Sequence, residues 1–551
     1  MEKKKFDKKS LMNIVFVGFA VACVLSIIMI ILIYSRYTFH SDCAGFLFQA
    51  KEQVKQHKWF PDKFHYTTAI FGFSTSIFMI PFVNIINNDF LLHEIGSIIA
   101  VIVLVSLIWI LFKNKKKIAA LTTILLCMPL SYEYEDMLFF QSAYICTLIL
   151  IVLNLIMILK LWNALEKKRS YKDVIISLIL YMSVLLFANY AGVANYMYIE
   201  APVILSLLCC IYIRNDMRLN EWKKENAIVN IIGLTVIGCI LSFIIYNMIC
   251  KAINFNVFQT EGGIISPNNL HETVWRVFPG ILRNFGIDGT SSLFSVSAIK
   301  SCLAMLYFFI QLIIAPYLLL KKIDDFDIKD RFIILFCVIT SLANLFLIIF
   351  GGMTESRYYM PGMLTGIITT AYFIEYVSEK YKNKIWLWGY AIILVFALSV
   401  HGGYYKYAMN SYGKDFSINN IINPTIEDGL VNILKDKGIE YGYATFWLAY
   451  NNMIISNSEI TIAAYDRGNP MVPYYFDRND RNNYNYYACS EDLYNPELHP
   501  GKCFVLVAED EQIPDIYYEL ASDSFTYTGA KNYMVLIFEK NINYYEELKN
   551  L

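Results

Sequence analysis

The sequence predicts a polytopic α-helical membrane protein with about eleven transmembrane helices and a C-terminal extracytoplasmic α/β domain. Composition is the first observation: 57% of the 551 residues are hydrophobic and only 17% are charged. A soluble domain has about 25% charged residues. Second, apolar runs of about 20 residues, long enough to cross a bilayer, recur as far as residue 401. Third, the chain from residue 403 onward is polar and contains no such run.

Clusters of Lys and Arg predict the orientation of the spans, because short basic loops stay on the cytoplasmic side. The basic N-terminus is therefore cytoplasmic, and the first span, 11–34, exits to the outside. The interrupted apolar run 68–86 is interpreted as an interfacial or re-entrant segment. The remaining spans place every dense basic cluster on one side: 93–112, 118–131, 137–161, 174–190, 201–213, 227–250, 294–320, 332–351, 360–376 and 385–401. This pattern predicts a multi-pass plasma-membrane protein with a cytoplasmic N-terminus and an extracytoplasmic C-terminus.

Two domains are expected. Residues 1–402 form the transmembrane domain, whose first outer loop is 35–92, and residues 403–551 form the soluble domain. Within the soluble domain, a helix capped by Thr425 and closed by Gly438 is predicted to lead into a strand. The predicted strands are 441–447, 459–464, 503–508 and 533–538.

Two cysteines of the soluble domain, Cys489 and Cys503, could form a disulfide if that domain lies outside the cell. Their spacing alone leaves the pairing open.

Carboxylates at the predicted outer membrane surface are few, which makes them candidates for acid–base chemistry. Asp42 follows the first span, and Glu135 and Asp136 precede the fourth. Two carboxylates from separate helices can converge on one acceptor hydroxyl, with one of them acting as general base. The alternative is that each acid only caps a helix N-terminus, where Asp and Glu are favoured.

An arginine on the outer side opposes the usual charge bias of membrane proteins. Arg357 lies in such a place, in a short loop between two spans, and Arg276 and Arg283 lie in the long outer loop 251–292. A guanidinium can hold a phosphate through two parallel hydrogen bonds. Alternatively, Arg357 extends to lipid headgroups or pairs with Glu355. Outer carboxylates and arginines beside a membrane favour a lipid-phosphate donor and a hydroxyl acceptor.

The layout and three short motifs resemble the polytopic GT-C glycosyltransferases, a group that includes protein O-mannosyltransferases and bacterial aminoarabinose transferases. The motifs are Ser41-Asp42 after the first span, Glu135-Asp136-Met137 in the second outer loop and Arg357-Tyr358-Tyr359-Met360-Pro361 in a late outer loop. The resemblance covers residues 1–402. The motif after the first span has one acid, Asp42, where many relatives have an Asp-Glu pair, which is a departure that bears on metal dependence. The C-terminal domain resembles nothing specific.

The resemblance implies an inverting membrane glycosyltransferase. It would move a sugar from a polyprenyl-phosphate donor to a glycan, lipid or protein of the cell envelope. Asp42 would be the general base, and Glu135 and Asp136 would assist. The donor phosphate would be bound by Arg357, Tyr358, Arg276 and Arg283. No cofactor is required, although a divalent cation is possible, and no nucleic-acid partner is expected.

Two other functions remain open at this point. A transporter or flippase for lipid-linked saccharides would carry ionisable residues at mid-membrane depth, whereas the acids here cluster at one face. A non-catalytic envelope-assembly protein would use its spans only as an anchor.

Overall fold

Long α-helices form most of the chain before residue 413, and strands are concentrated after residue 440. The structure is a computed structural model. It describes residues 8–66, 70, 72–166, 170–190, 195–214, 226–253, 269–287, 295–351, 355–380, 385–412, 418–424, 426, 428–473, 489–528 and 532–549.

Twenty α-helices are present in the described part of the chain. In chain order they are α1 Lys8–Tyr34, α2 Ser41–Gln56, α3 Ser76–Met79, α4 Asp89–Leu111, α5 Lys116–Leu126, α6 Tyr132–Glu135, α7 Ile145–Glu166, α8 Tyr171–Tyr190, α9 Ala201–Arg214, α10 Asn226–Ala252, α11 Leu270–Asn284, α12 Val296–Phe309, α13 Ala315–Lys321, α14 Ile328–Phe350, α15 Met360–Lys380, α16 Ile385–Tyr412, α17 Ile418–Ile422, α18 Gly429–Asp436, α19 Phe446–Ile455 and α20 Ile516–Leu520.

Eight strands accompany them: β1 Phe64–His65, β2 Tyr441–Thr445, β3 Thr461–Asp466, β4 Asn469–Pro473, β5 Cys489–Ser490, β6 Cys503–Ala508, β7 Asp523–Thr528 and β8 Asn532–Phe538. Short 3-10 turns cover Ser35–Thr38, Ile80–Phe82, Ile323–Asp325, Ser356–Tyr359, Glu491–Tyr494 and Ile542–Tyr544. Three π-helical turns cover Asp136–Phe140, Tyr196–Glu200 and Ile310–Ile314.

Eight helices are long and apolar enough to cross a membrane, counting only described residues. They are Ile14–Thr38, Asp89–Leu111, Ile145–Glu166, Tyr171–Asn189, Tyr196–Ile213, Asn226–Ala252, Ser297–Lys321 and Ile328–Phe350. The polytopic helical fold is thereby confirmed, but the count of eleven is not. The three other predicted spans correspond to α5, α15 and α16, which are not among these eight helices. With 11 residues, α5 is too short to cross alone.

The predicted interfacial segment 68–86 contains α3 and the 3-10 turn Ile80–Phe82. Residues 67–69 and 71 lie outside the described part. No helix of spanning length forms in the described remainder of this segment.

The chain divides into two compact units. Unit 1 contains residues 1–31, 98–246 and 259–414, and unit 2 contains residues 32–97, 247–258 and 415–551. Unit 2 therefore combines the predicted first outer loop with the C-terminal α/β residues. The division at residue 402 that the sequence favours stays a prediction.

In unit 1, α14 is a central helix that contacts both α9 and α15. Apolar side chains such as Phe332 and Phe336 on α14 are fully buried. The Tyr372 hydroxyl of α15 donates a 2.9 Å hydrogen bond to the Asp330 carboxylate of α14. Helices α7 and α8 pack together, as do α12 and α16.

A six-stranded mixed sheet in the order β4-β3-β2-β6-β8-β7 organises unit 2. Strand β2 is parallel to β3 and β6, whereas β8 is antiparallel to β6 and β7. The core of this unit contains buried Tyr443, Tyr465, Val505, Leu536 and Phe538. A C-terminal α/β domain is thus confirmed.

Several predicted boundaries in this domain shift. Asp428 caps α18, because its carboxylate accepts the Leu430 N–H at 2.8 Å, and the predicted cap Thr425 lies outside the described residues. Gly438 closes the helix with a φ of 68°, as predicted. The predicted strand 441–447 ends at Thr445, because Phe446 begins α19.

Cys489 and Cys503 are both buried free thiols, so they do not form a disulfide. The Cys503 thiol instead donates to the Lys540 carbonyl at 3.6 Å.

Candidate functional site

Asp42 lies in the first turn of α2, within unit 2. The helix is amphipathic: Cys43, Leu47 and Ala50 are buried on one face, whereas Asp42 is half-buried. A carboxylate at a helix N-terminus is stabilised by the helix dipole. Asp42 therefore lies where a carboxylate is commonly found, and it remains partly accessible.

Helix α2 packs against α19, and two of its residues bond to residues in or just after α19. At its start, the Ser41 hydroxyl donates to the Phe446 carbonyl at 2.6 Å. Near its end, the Lys51 ammonium lies 3.0 Å from the Ser458 hydroxyl just beyond α19 and 2.6 Å from the Asp89 carboxylate. The C-terminal residues of unit 2 thus hold the helix that carries Asp42.

A second attachment joins the same loop to the C-terminal residues. Strand β1 pairs antiparallel with β5, so that Phe64 faces Ser490 and His65 faces Cys489. The Lys63 carbonyl also accepts the Glu491 N–H at 2.8 Å.

In unit 1, Glu135 and Asp136 lie where α6 passes into a π-helical turn. The Ser131 hydroxyl caps α6 by accepting the Tyr134 N–H at 3.1 Å. Short π-helical turns inside helices are frequent at functional sites. Glu135 is completely buried and Asp136 is 6% exposed.

Burial raises the pKa of the Glu135 carboxyl well above its ordinary value. The Tyr404 hydroxyl and the Lys300 ammonium oppose this shift, and Asp136 adds to it. Neither Glu135 oxygen makes a well-formed hydrogen bond to a described residue. The raised pKa favours the protonated form of Glu135, which makes this residue less suited than an exposed carboxylate to act as a base.

Arg357 lies in the 3-10 turn Ser356–Tyr359 between α14 and α15. The turn is fixed by Asn344 of α14, whose amide donates to the Tyr358 carbonyl at 2.8 Å and accepts the Gly362 N–H at 2.9 Å. Arg357 Nε lies 2.5 Å from the Glu355 carboxylate, and its guanidinium lies over the Tyr358 ring at 5.5 Å.

The amphipathic helix α11 contacts both of these segments. Its C-terminal end approaches the residues before α6 closely, since the Ser131 hydroxyl donates to the Asn284 carbonyl at 3.3 Å. Gly286 permits this approach: its φ is +73°, and a Cβ there would lie 2.2 Å from the Leu130 carbonyl oxygen.

Unit 1 thus brings together the Glu135–Asp136 segment, the Arg357 turn and α11. Arg276 and Arg283 are exposed on α11, and Arg276 pairs with Glu272 of the same helix. Residues 254–268 and 288–292 of the predicted outer loop lie outside the described part. Asp42 belongs to unit 2, so a single site containing all the candidates stays a prediction.

The sequence reasoning missed the residues that support these candidates. Asn344 fixes the Arg357 turn, and Lys300 and Tyr404 act on Glu135. The available signal was an isolated polar side chain within an apolar run, which has a specific cause more often than not in a membrane helix.

Comparison with family models gives no match, and neither does comparison with curated proteins. Solved structures do match. ArnT from Cupriavidus metallidurans, bound to undecaprenyl phosphate, is 10% identical, with a TM-score of 0.51 over 95% of this chain and 97% of that chain. Its apo structure gives a TM-score of 0.52 at the same identity and coverage.

The archaeal oligosaccharyltransferase AglB from Archaeoglobus fulgidus, in complex with an inhibitory peptide and a dolichol-phosphate, is more distant. It is 12% identical, with a TM-score of 0.42 over 80% of this chain and 63% of that chain. The similarity to ArnT extends over nearly the whole chain and shows that this chain shares the fold of ArnT, as the resemblance to aminoarabinose transferases implied.

Proposed function

We propose that this protein is a membrane glycosyltransferase that moves a sugar from a polyprenyl-phosphate donor to a hydroxyl of an envelope glycan, lipid or protein. The observation that carries the proposal is that an arginine and two buried acids lie close together on the fold of a known membrane protein. The fold is that of ArnT, which was solved with undecaprenyl phosphate. On this fold, the Arg357 turn contacts α6, which ends at the buried Glu135 and is followed by the buried Asp136.

Arg357 is the proposed ligand of the donor phosphate, with Tyr358 beside it and Arg276 and Arg283 on the neighbouring α11. The Arg357 side chain is 35% exposed and its partner Glu355 is 59% exposed. An ion pair of this kind contributes only about 0–1 kcal/mol. A phosphate, which can accept two parallel hydrogen bonds from the guanidinium, would displace Glu355 at little cost.

Asp42 is the proposed general base. It takes the proton of the acceptor hydroxyl as that oxygen attacks the anomeric carbon of the donor sugar. The bond between this carbon and the phosphate oxygen breaks on the opposite face, so the configuration inverts. The products are the glycosylated acceptor and polyprenyl phosphate, and Arg357 stabilises the charge that develops on the phosphate.

Glu135 and Asp136 assist in this scheme. Burial favours the neutral form of Glu135, near Lys300 and Tyr404, and Asp136 is the second acid of the same segment. No cofactor is needed for the displacement. His40 and Cys43, which flank Asp42, are ligand types that a zinc ion accepts, so a divalent cation is compatible with the residues present.

Binding of undecaprenyl phosphate to the purified full-length protein tests the donor part of the proposal. Arg357→Ala should weaken binding about tenfold or more, the equivalent of one lost charge-assisted contact. Arg467→Ala is the matched control, because Arg467 forms an exposed pair with Asp510 in unit 2. Equal affinities for the wild type and Arg357→Ala would contradict the donor site.

A further inference from the structure

Trp447 is exposed at a place where its neighbours are buried. It is the second residue of α19, and 59% of its surface is accessible, whereas Phe446 and Tyr450 of the same helix are 3% and 0% exposed. Large aromatic side chains contribute most when they are buried. An exposed indole on an otherwise packed helix therefore calls for a ligand or a surface that covers it.

The position of Trp447 is tied to the N-terminal end of α2. The Phe446 carbonyl, one residue before it, accepts the Ser41 hydroxyl. The Trp447 ring lies 6.1 Å from the His40 ring, at an interplanar angle of 60°. Asp42, half-buried, is the residue that follows Ser41. Trp447 and the proposed base thus lie at the same corner of unit 2.

The indole is also held in place. The Phe446 and Trp447 rings meet edge to face at 5.0 Å, and α19 packs against α2 and β3. A rigid aromatic surface loses little conformational entropy when a ligand covers it. Trp447 therefore presents a flat, apolar surface on a helix that is packed in place.

We propose that Trp447 is the stacking platform for a pyranose ring of the acceptor, which it holds with one hydroxyl directed toward Asp42. The inference rests on the proposed function, because it assigns the second substrate of that reaction. One face of a pyranose carries C–H groups that pack on an indole, and its hydroxyls donate to a carboxylate. A flat apolar surface with a polar group beside it is the usual composition of a small-molecule site.

The proposal narrows the acceptor to a carbohydrate: a glycan or the sugar headgroup of a glycolipid. It also gives the C-terminal residues a role in recognition, since α19 supplies the platform. Two alternative partners could cover Trp447. One is the donor sugar, and the other is the layer of lipid headgroups at the membrane surface, where tryptophan is common.

Saturation-transfer NMR on the full-length protein in detergent tests the platform. The probes are the methyl glycosides of glucose, galactose, mannose and N-acetylglucosamine. At least one should receive saturation on the C–H face of its ring. That signal should fall about fivefold or more in Trp447→Ala and persist in Trp447→Phe, which keeps an aromatic face.

Leu498→Ala is the matched control, because Leu498 is 56% exposed elsewhere in unit 2, and it should leave the signal unchanged. Equal signals from the wild type and Trp447→Ala would overturn the proposal and leave Trp447 as an interface residue. Addition of undecaprenyl-phosphate glucose shows whether the acceptor sugar or the donor sugar covers Trp447. The glycoside signal should survive its addition, whereas displacement would assign the platform to the donor and overturn the acceptor assignment.

The experiments distinguish an error in the role of Trp447 from an error in the proposed function. Asp42→Asn should still bind the glycoside through Trp447 while losing sugar transfer. Glycoside binding that ignores Trp447, together with transfer that requires Asp42, would overturn this inference alone.

Discussion

The Ser41 hydroxyl donates a 2.6 Å hydrogen bond to the main-chain carbonyl of Phe446. Ser41 is completely buried, and its partner lies 405 positions later in the chain. The contact joins the residue before the proposed base to the first residue of α19. The start of α2 is therefore set by the C-terminal part of the chain.

Replacement of Ser41 by alanine should destabilise the protein, because it removes a buried hydrogen bond, although the Phe446 carbonyl keeps its place in the hydrogen bonding of α19. The expected loss is about 0.5–1.5 kcal/mol in the free energy of unfolding. Thermal unfolding of the detergent-solubilised protein measures it. Ser524→Ala, at an exposed position of β7, is the control and should unfold like the wild type. If both variants unfold at the wild-type temperature, the contact does not hold α2.

Glu135→Gln should retain most of the transfer activity. Burial raises the pKa of Glu135 well above its ordinary value and so favours the neutral acid, which glutamine imitates in size and charge. Glu135→Ala removes the side chain from a fully buried place, and its rate should fall about tenfold or more, or at least 1.4 kcal/mol in activation free energy. The measurement is the initial rate of sugar transfer. A glutamine variant as inactive as the alanine variant would mean that Glu135 works as a carboxylate.

Gly286→Ala should separate α11 from the residues that precede α6. The positive φ and the 2.2 Å approach to the Leu130 oxygen together should cost about 2–3 kcal/mol. Gly403→Ala is the control, because a Cβ there meets nothing within 4 Å. Hydrogen exchange should speed up over residues 130–140 in the first variant only. Unchanged exchange in both would show that Gly286 does not fix this approach.

Unfolding of unit 2 should depend on the protonation of His65. Burial lowers the pKa of the His65 imidazole to about 4, below its ordinary 6.5. Above pH 6.5 the imidazole is neutral in the folded and the unfolded chain. Between about pH 6.5 and pH 4 only the unfolded chain binds the proton, so stability falls as pH falls, by at most about 3 kcal/mol.

Melting temperatures at pH 7 and pH 5 measure this dependence on His65. In His65→Gln, which stays neutral, the difference between the two temperatures should shrink. If the difference in His65→Gln is as large as in the wild type, other groups cause the pH dependence.

The sequence predicted the helical membrane part well, because each apolar run carries its own local signal. Helices α4, α8, α10 and α14 form within a few residues of their expected places. The pairing of Phe64 with Ser490 could not be predicted, since contacts between residues so distant in the chain have no local periodicity. The short apolar run around Phe446 is equally compatible with a strand and a helix, and tertiary packing decides in favour of α19.

The candidate site shows the same limit. Asp42 and Arg357 were identifiable because a charge at the end of an apolar span stands out. Asn344 was not identified, because its importance comes from its hydrogen bonds to Tyr358 and Gly362, which depend on how α14 and α15 pack. The grouping of the first outer loop with the C-terminal residues likewise depends on packing.

Sugar transfer by Asp42→Asn tests the central claim most directly. The purified full-length variant is compared with the wild type, using undecaprenyl-phosphate-linked sugars as donors and extracted envelope glycans as acceptors. Asp62→Asn is the matched control, because Asp62 is 69% exposed in the same loop and its carboxylate pairs with the nearby Lys58. Loss of the general base should lower the transfer rate about 100-fold or more, while binding of undecaprenyl phosphate and the activity of Asp62→Asn stay at wild-type values. Transfer by Asp42→Asn at the wild-type rate would contradict the account.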